Sequence, residues 1–390
     1  MRRLRNCFAK RRRRKTSGGN ENGRAHGGTA KQGVHKAMKK SLMMAGALTV
    51  AGMAAALLAP AAPAFAGDLN VTSWGGAYQM SQRKAYFEPY AKQSGTKITE
   101  EEYNGEIAKI RAMVESKSVS WDAIDVDTPT AVQGCAEGIL ETIDWTKLGL
   151  DRKKFTGADL MDCAVPTILY ATVIAYDKDK LANGPTTIAD VFDLQKFPGK
   201  RGLQKNPFVN LEWALIADGV AVKDVYKVLN TPEGVDRAFK KLDTIKKDVV
   251  WWEAGAQPPQ LLADGQVVMT SAWNGRIYDA DKNSGKHFEI MWDAQGLDWD
   301  WWAIPKGDPR LDDTYKFIAF ASSPEAQADQ THYISYGPAN QDAIPHVDPA
   351  ILPNLPTATD HMSNALLVDP QFWGDKGEEL RQRFTAWLAQ

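Results

Sequence analysis

Residues 69–76 read Leu69-Asn70-Val71-Thr72-Ser73-Trp74-Gly75-Gly76. The run alternates with the two-residue period of a strand and stops at a glycine pair, so it delivers Trp74 to a turn. Downstream, Ser81 to Lys92 predicts a helix and Lys97 to Tyr103 a second strand. Ile107, Ile110 and Val114 then fall at helical spacing between Gly105 and Ser116. Trp121 to Asp127, with Ile124 and Val126 inward, predicts a third strand ending at Thr128-Pro129. Strand, helix, strand, helix, strand is the grammar of an α/β chain: a largely parallel sheet covered by helices.

The same rhythm returns later. Thr167 to Asp177 is a long β-rich run, Lys200 to Leu203 a short one, and Pro232 to Lys247 a helix marked by Val235, Phe239 and Leu242. Gln266 to Thr270, Phe288 to Trp292 and Trp299 to Ile304 read as strands, Ser323-Pro324-Glu325 as a capped helix start, and Leu380, Phe384 and Trp387 as the apolar stripe of a closing helix. Two such lobes need two strand-like crossings between them, for which Tyr170 to Asp177 and Trp301 to Pro305 are the candidates. Ligands of open α/β sheets bind beyond the carboxyl ends of the strands. Here those ends carry Trp74, Thr128, Trp273 and Asp300.

Outward from this body lies a different composition. The formal net charge of −1 over 390 residues hides an asymmetry. Residues 1–66 hold 14 Lys and Arg and a single acid, Glu21, which leaves 33 bases against 47 acids from Gly67 onward, a balance near −14. So acidic a body argues against nucleic acid or an anionic membrane surface as partner and suits a cationic solute. At 44% hydrophobic and 24% charged residues it has the composition of a soluble globular protein, long enough for two lobes.

Met38-Lys39-Lys40, the charge-free run from Leu42 to Leu58 and Ala64-Phe65-Ala66 form the positive end, apolar middle and small-residue site of a secretory signal peptide, with Gly67 as the expected mature start. Residues 1–66 are therefore leader and signal, and Met38 is an alternative start. Export agrees with the cysteines. Cys7 leaves with the leader, and Cys135 and Cys163 remain as an even pair in an oxidising compartment, joined or as two buried thiols.

Enzyme signatures are scarce. The sequence holds no G-x-S-x-G, no Walker loop, no H-E-x-x-H and no C-x-x-C, and His287, His332, His346 and His361 lack metal-ligand spacing. No metal or other cofactor is expected. Asp298 and Asp300 share one face of a strand, which keeps open a secreted hydrolase working with two carboxylates. What the chain has in excess is tryptophan: all 13 lie beyond residue 66. Trp145, Trp251, Trp252 and Trp387 fit a core. Trp74 and Trp273, beside turns at strand ends, instead suit an aromatic box, whose ring faces attract an ammonium by about 0.5–2 kcal/mol each. Asp300 would then supply a charge-assisted hydrogen bond.

Six stretches, taken in order, carry a family resemblance: Ser73-Trp74-Gly75-Gly76-Ala77-Tyr78, Val126-Asp127-Thr128-Pro129, Thr270-Ser271-Ala272-Trp273-Asn274-Gly275, Asp300-Trp301-Trp302-Ala303-Ile304-Pro305, Ser335-Tyr336-Gly337-Pro338, and the signal peptide before them. Together they resemble the periplasmic spermidine/putrescine-binding proteins of ABC importers over nearly all of residues 67–390. The resemblance implies a type II two-lobed periplasmic-binding-protein clamshell, each lobe a mostly parallel sheet flanked by helices. Residues 67–175 and 305–340 would form lobe 1, 176–304 lobe 2, and 341–390 a C-terminal helical segment packing across them. It also implies a monomer without catalysis that delivers a small amine to an inner-membrane permease. By position, Trp74, Tyr78, Thr128, Trp273, Asp300 and Tyr336 would face the ligand.

Three departures shift the expected ligand. Gly75-Gly76 stands where polyamine binders carry an acid after the first Trp. Lys205-Asn206-Pro207 replaces a second-lobe Asp, with Glu212 as a substitute. Arg276 adds a cation, which either pairs with Asp279 or another acid or meets a ligand carboxylate. The expected ligand therefore moves from a polyamine towards a γ-amino acid or an opine-like conjugate. Iron, thiamine and sugar binders of the same fold stay as alternatives, iron weakened because Tyr333 and Tyr336 are not adjacent.

Overall fold

The computed structural model describes residues 68–390; the expected leader, signal peptide and alternative start at Met38 lie outside these residues. Ten strands follow in chain order: β1 (Leu69–Ser73), β2 (Ile98–Glu102), β3 (Ala123–Asp127), β4 (Ala164–Asp177), β5 (Arg201–Gln204), β6 (Val249–Trp252), β7 (Met269–Trp273), β8 (Phe288–Ala303), β9 (Gly337–Pro338) and β10 (Leu366–Leu367). Eight lie side by side in the order β2-β1-β3-β8-β4-β7-β5-β6. Two parallel blocks emerge, β2-β1-β3 and β7-β5-β6. Between them runs the antiparallel pair β8 and β4, 16 and 14 residues long. The parallel blocks are those expected from the alternation of strand and helix, because parallel neighbours need a long crossover.

Each block is buried on both faces. Leu69, Val71 and Trp302 pack into one core of the first block, and Ile124, Trp121 and Trp301 into another on its opposite face. Trp301 and Trp302 part company because successive side chains of a strand point to opposite faces. Around the second block, Leu203, Trp213, Leu242 and Phe384 form one core, while Leu262, Ala272 and Ile277 cover the other face. The helix Pro370–Leu388 contributes Phe372, Trp373, Leu380, Phe384 and Trp387 to the second block's larger core.

The chain changes core within single strands. Val173 belongs to the first block's core and its neighbour Ile174 to the second's. On β8, Met291 and Ala294 lie with the second block and Leu297 with the first. This second crossing is upstream of the expected Trp301 to Pro305, since both tryptophans are fully buried in first-block cores. The expected strands Phe288 to Trp292 and Trp299 to Ile304 are one element. A register shift opposite Thr172–Ile174 and a left-handed Ala294 (φ 50°) absorb the polar stretch between them without breaking the pairing.

At the first turn, Gly75 and Gly76 adopt φ of 61° and 55°, which lets the helix start at Gly76 rather than Ser81. Cys135 and Cys163 are joined in a disulfide with Cα atoms 5.6 Å apart, tying the helix Thr128–Glu137 to the start of β4. Closing a loop of that size stabilises the fold by about 3–4 kcal/mol in the chain-entropy account. No helix among the described residues is long and apolar enough to cross a membrane.

Candidate ligand-binding site

Where β1 and β7 end, their terminal residues meet. Trp74, just after β1, and Trp273, the last residue of β7, bring their rings to 5.8 Å in a T-shaped contact. Tyr78, on the first turn of the helix after Gly75, lies 5.2 Å from Tyr336, and Tyr170 of β4 is 6.3 Å from both Tyr336 and Trp273. These five rings and Asp300 line one cavity. Its volume is about 70 Å³.

Beneath the rings lies a group of carboxyls. Asp125 and Asp127 sit two apart on β3, and Asp298 and Asp300 two apart on β8, with Asp127 directly opposite Asp300. Asp125 is fully buried and accepts hydrogen bonds from Trp74 Nε1 (3.2 Å), Tyr78 Oη (2.7 Å) and Gln82 Nε2, so one carboxylate orients two of the lining rings. Burial pushes Asp125 up to about 7 even though those three donors favour its charged form. Asp298 is likewise raised to about 7, by burial first. Asp300 stands well above the ordinary aspartate range through burial and then through the charges of Asp125, Asp127 and Asp298, while Arg276 pulls it back. Such a cluster repels itself when ionised, so an arriving cation is stabilised by every member. Burial and the same carboxylates raise Tyr78 and Tyr170 well above their usual range, which keeps them neutral hydrogen-bond donors.

Five of the eight expected contact residues come together here: Trp74, Tyr78, Trp273, Asp300 and Tyr336. Three do not. Thr128 is fully buried, and its hydroxyl accepts from Trp301 Nε1 (2.8 Å) and donates to the Trp299 carbonyl (3.3 Å), so β8 consumes it. Glu212 lies in the core under the C-terminal helix, accepting from Trp373 Nε1 (2.9 Å) and Tyr226 Oη (3.0 Å). One helical turn beyond the cavity edge, it points inward. Arg276 is drawn behind the cavity wall, where Nη1 donates to the Gly75 carbonyl (2.7 Å) and Nη2 to the Trp74 carbonyl (3.0 Å). It does not pair with Asp279; its guanidinium lies 5.8 Å from the Tyr78 ring and 5.6 Å from the Trp273 ring, and its Nε is buried without a hydrogen-bond partner. The departure at Gly75-Gly76 now has a reason: a Cβ on Gly76 would lie 2.8 Å from Arg276 Nη1. Asp298 of the two-carboxylate hydrolase reading does not line the cavity either; its Oδ1 is buried without a partner.

Sequence reasoning missed Asp125, Asp127, Tyr170 and Arg381. For the two aspartates a signal existed, since charged residues alternating inside Ala123-Ile124-Asp125-Val126-Asp127 have no reason to be there in a plain core strand. Tyr170 and Arg381 carry no such mark; only the fold brings β4 and the last helix to the cavity.

The model of the bacterial extracellular solute-binding protein family matches residues 85–357. The chain belongs to that family. This solute-binding protein is 46% identical over 332 residues to a gamma-aminobutyric acid-binding protein of Pseudomonas aeruginosa, covering 85% of the chain and 94% of the relative. Among solved structures it is similar to the periplasmic binding protein MotA of A. tumefaciens B6 in complex with glucopine, with TM-score 0.78, 33% identity and coverage of 82% and 99% of the two chains. It is also similar to a GABA receptor, with TM-score 0.74, 35% identity and coverage of 83% and 98%. The mixed sheet flanked by helices is therefore the two-lobed fold of periplasmic binding proteins.

Proposed function

We propose that this solute-binding protein captures a small amine that also bears a carboxylate, with γ-aminobutyrate as the reference case, and delivers it to the membrane permease of an ABC importer from the periplasm. The observation that carries the reading is Asp300, buried beside three further aspartates and surrounded by five aromatic rings. An ammonium there meets ring faces and carboxylates together. The names of the similar proteins, which concern γ-aminobutyrate and an opine, support the same class of ligand.

In this reading Trp74, Tyr78, Trp273 and Tyr336 surround the ligand and Asp300 takes its nitrogen. The lobes are 67–175 with 305–340 and 176–304, apart from the end of β8, whose tryptophans pack with the first block. The segment 341–390 bridges them, because its helix fills the second block's core while Arg381 donates to Gln133 on the helix after β3. Closure follows the ligand's preference for the closed state, and the protein works as a monomer. A diamine fits less well than a zwitterion. Asp127, the second carboxylate of the lining, already has the positive charge of Arg381 acting on it.

Thermal-shift titration of the purified protein tests this. γ-Aminobutyrate should raise the melting temperature with concentration, as any ligand of the native state does. A rise with putrescine and spermidine alone would return the ligand to the polyamines, and no rise with any amine would retire the reading. Incubation with glycosides and amides should yield no product; turnover lost with Asp300 would favour the hydrolase.

A further inference from the structure

The two strands that change core, β4 and β8, meet at one rung. Thr172 of β4 pairs with Gly296 of β8 on one side and with Trp273, the cavity ring that ends β7, on the other. Leu366 of β10 pairs with Gly296 as well. Three non-glycine residues among the described residues have a left-handed backbone, and two of them converge here: Ala294 (φ 50°) and Val209 (φ 64°). Both are buried. A Cβ is strained in that region, a β-branched residue most of all. Val209 presses its side chain on the rung, since a Cβ on Gly296 would lie 2.8 Å from Val209 Cγ2. Trp213, on the helix that Val209 opens, donates from Nε1 to the Ala294 carbonyl at 2.8 Å. At the same rung, Thr172 Oγ1 and Gln295 Oε1 are buried without a hydrogen-bond partner. Strained backbone persists only where the surrounding packing over-determines it, and it gathers at clamps and switches.

We propose that Ala294 and Val209 are affinity-determining residues outside the cavity: their strained backbone belongs to the closed arrangement of the lobes and relaxes when the lobes part. This rests on the two-lobed reading above and not on which amine is bound. In the structure the lobes meet around the cavity, because the rings of Trp74 and Trp273 touch and Arg276 donates to the carbonyls of Trp74 and Gly75. A closure that winds Ala294 and Val209 into this conformation offsets part of what the ligand gains, so the empty protein stays open. The strained rung also adjoins the cavity directly. Thr172 is paired with Trp273, and Val209 follows Phe208, which lines the cavity. Ligand and hinge therefore bias one element with two arrangements.

A294G tests this. It deletes one methyl, gives the left-handed position the residue that adopts it without strain, and leaves every residue of the lining in place. Calorimetric titration should show γ-aminobutyrate bound about five- to thirty-fold more tightly than by wild type, the effect of relieving one left-handed residue. Small-angle X-ray scattering of the empty proteins should show A294G more compact than wild type. G296A should do the reverse and bind several-fold more weakly, because its Cβ crowds Val209 in the closed arrangement. Unchanged affinity and unchanged compactness in A294G, with only the melting temperature moved, would overturn the proposal, because the strain would then be present in both arrangements. Should wild type bind no amine, the amine reading falls and the scattering comparison alone decides between these outcomes.

Discussion

Two buried carboxylates in this molecule have the same neighbours and different tasks. Asp125 accepts from the indole of Trp74 and the hydroxyl of Tyr78; Glu212 accepts from the indole of Trp373 and the hydroxyl of Tyr226. Both are fully buried and both are pushed up to about 7 by that burial. The difference lies on the far side of the rings. Trp74 and Tyr78 face a cavity that holds Asp300, whereas Trp373 packs against Phe208 at 5.1 Å and Tyr226 against Phe372 at 5.2 Å. A perturbed acid by itself marks only a buried acid. What makes one of these clusters a site is open space next to a second, crowded carboxyl.

The sharpest way to break this comparison is to neutralise one acid from each cluster. D300N should weaken γ-aminobutyrate binding by about 2–4 kcal/mol, roughly 30- to 1,000-fold, as expected when one partner of a buried charge pair is lost. The melting temperature of the empty protein should hold or rise, because a carboxyl crowded by three others is removed. E212A should do the reverse: affinity unchanged, and stability reduced by about 1–3 kcal/mol as Trp373 and Tyr226 lose their acceptor. Calorimetry and thermal melts read the two effects separately. Equal affinity in D300N would remove Asp300 from the site.

D125N sharpens the contrast within the first cluster. It keeps the volume and weakens the acceptor that orients Trp74 and Tyr78, so affinity should fall about ten-fold, close to the loss of one charged hydrogen bond. The corresponding E212Q should leave affinity untouched.

Acidity separates the regions next. A carboxyl whose folded value is raised binds a proton more tightly in the native state, so its contribution to stability is complete below its unfolded value and is lost as pH rises towards 7. Asp125, Asp298 and Glu212 all have this sign. The empty protein should therefore lose stability between pH 4 and 7, by up to about 1.4 kcal/mol per pH unit for each group. Ligand affinity should move the other way and increase from pH 5 to pH 8, because an ammonium needs the ionised carboxylates. E212Q should flatten the stability profile while the binding profile keeps its slope.

The smallest effect is expected at Arg276, which joins the Gly75 turn to the helix after β7. R276Q removes two hydrogen bonds to carbonyls and should lower affinity several-fold for γ-aminobutyrate and for its neutral carboxamide, 4-aminobutanamide. A loss confined to γ-aminobutyrate would instead make Arg276 the carboxylate's partner.

Much of this arrangement was legible along the chain, and the limits have physical causes. Strand ends marked by turn residues exposed Trp74 and Trp273, since glycine pairs and strand-to-helix junctions are written locally. Asp300 was found by its place among tryptophans, although it lies within β8 rather than at a strand end. Thr128 and Glu212 misled because a hydroxyl or carboxylate looks the same in sequence whether a cavity or a core consumes it. Arg276 was harder to read for the opposite reason: its two hydrogen bonds go to main-chain carbonyls, which every residue carries. Arg381 lies 81 residues from Asp300, the nearest acid of the cluster. Only the packing of the last helix across the cavity assigns it a neighbour.

A crystal structure of the complex with γ-aminobutyrate at pH 8 tests the central claim most directly. The ligand nitrogen should lie within about 3 Å of an Asp300 oxygen, between the rings of Trp74 and Trp273. A ligand bound outside that cavity, or one whose nitrogen points away from Asp300, would contradict the account.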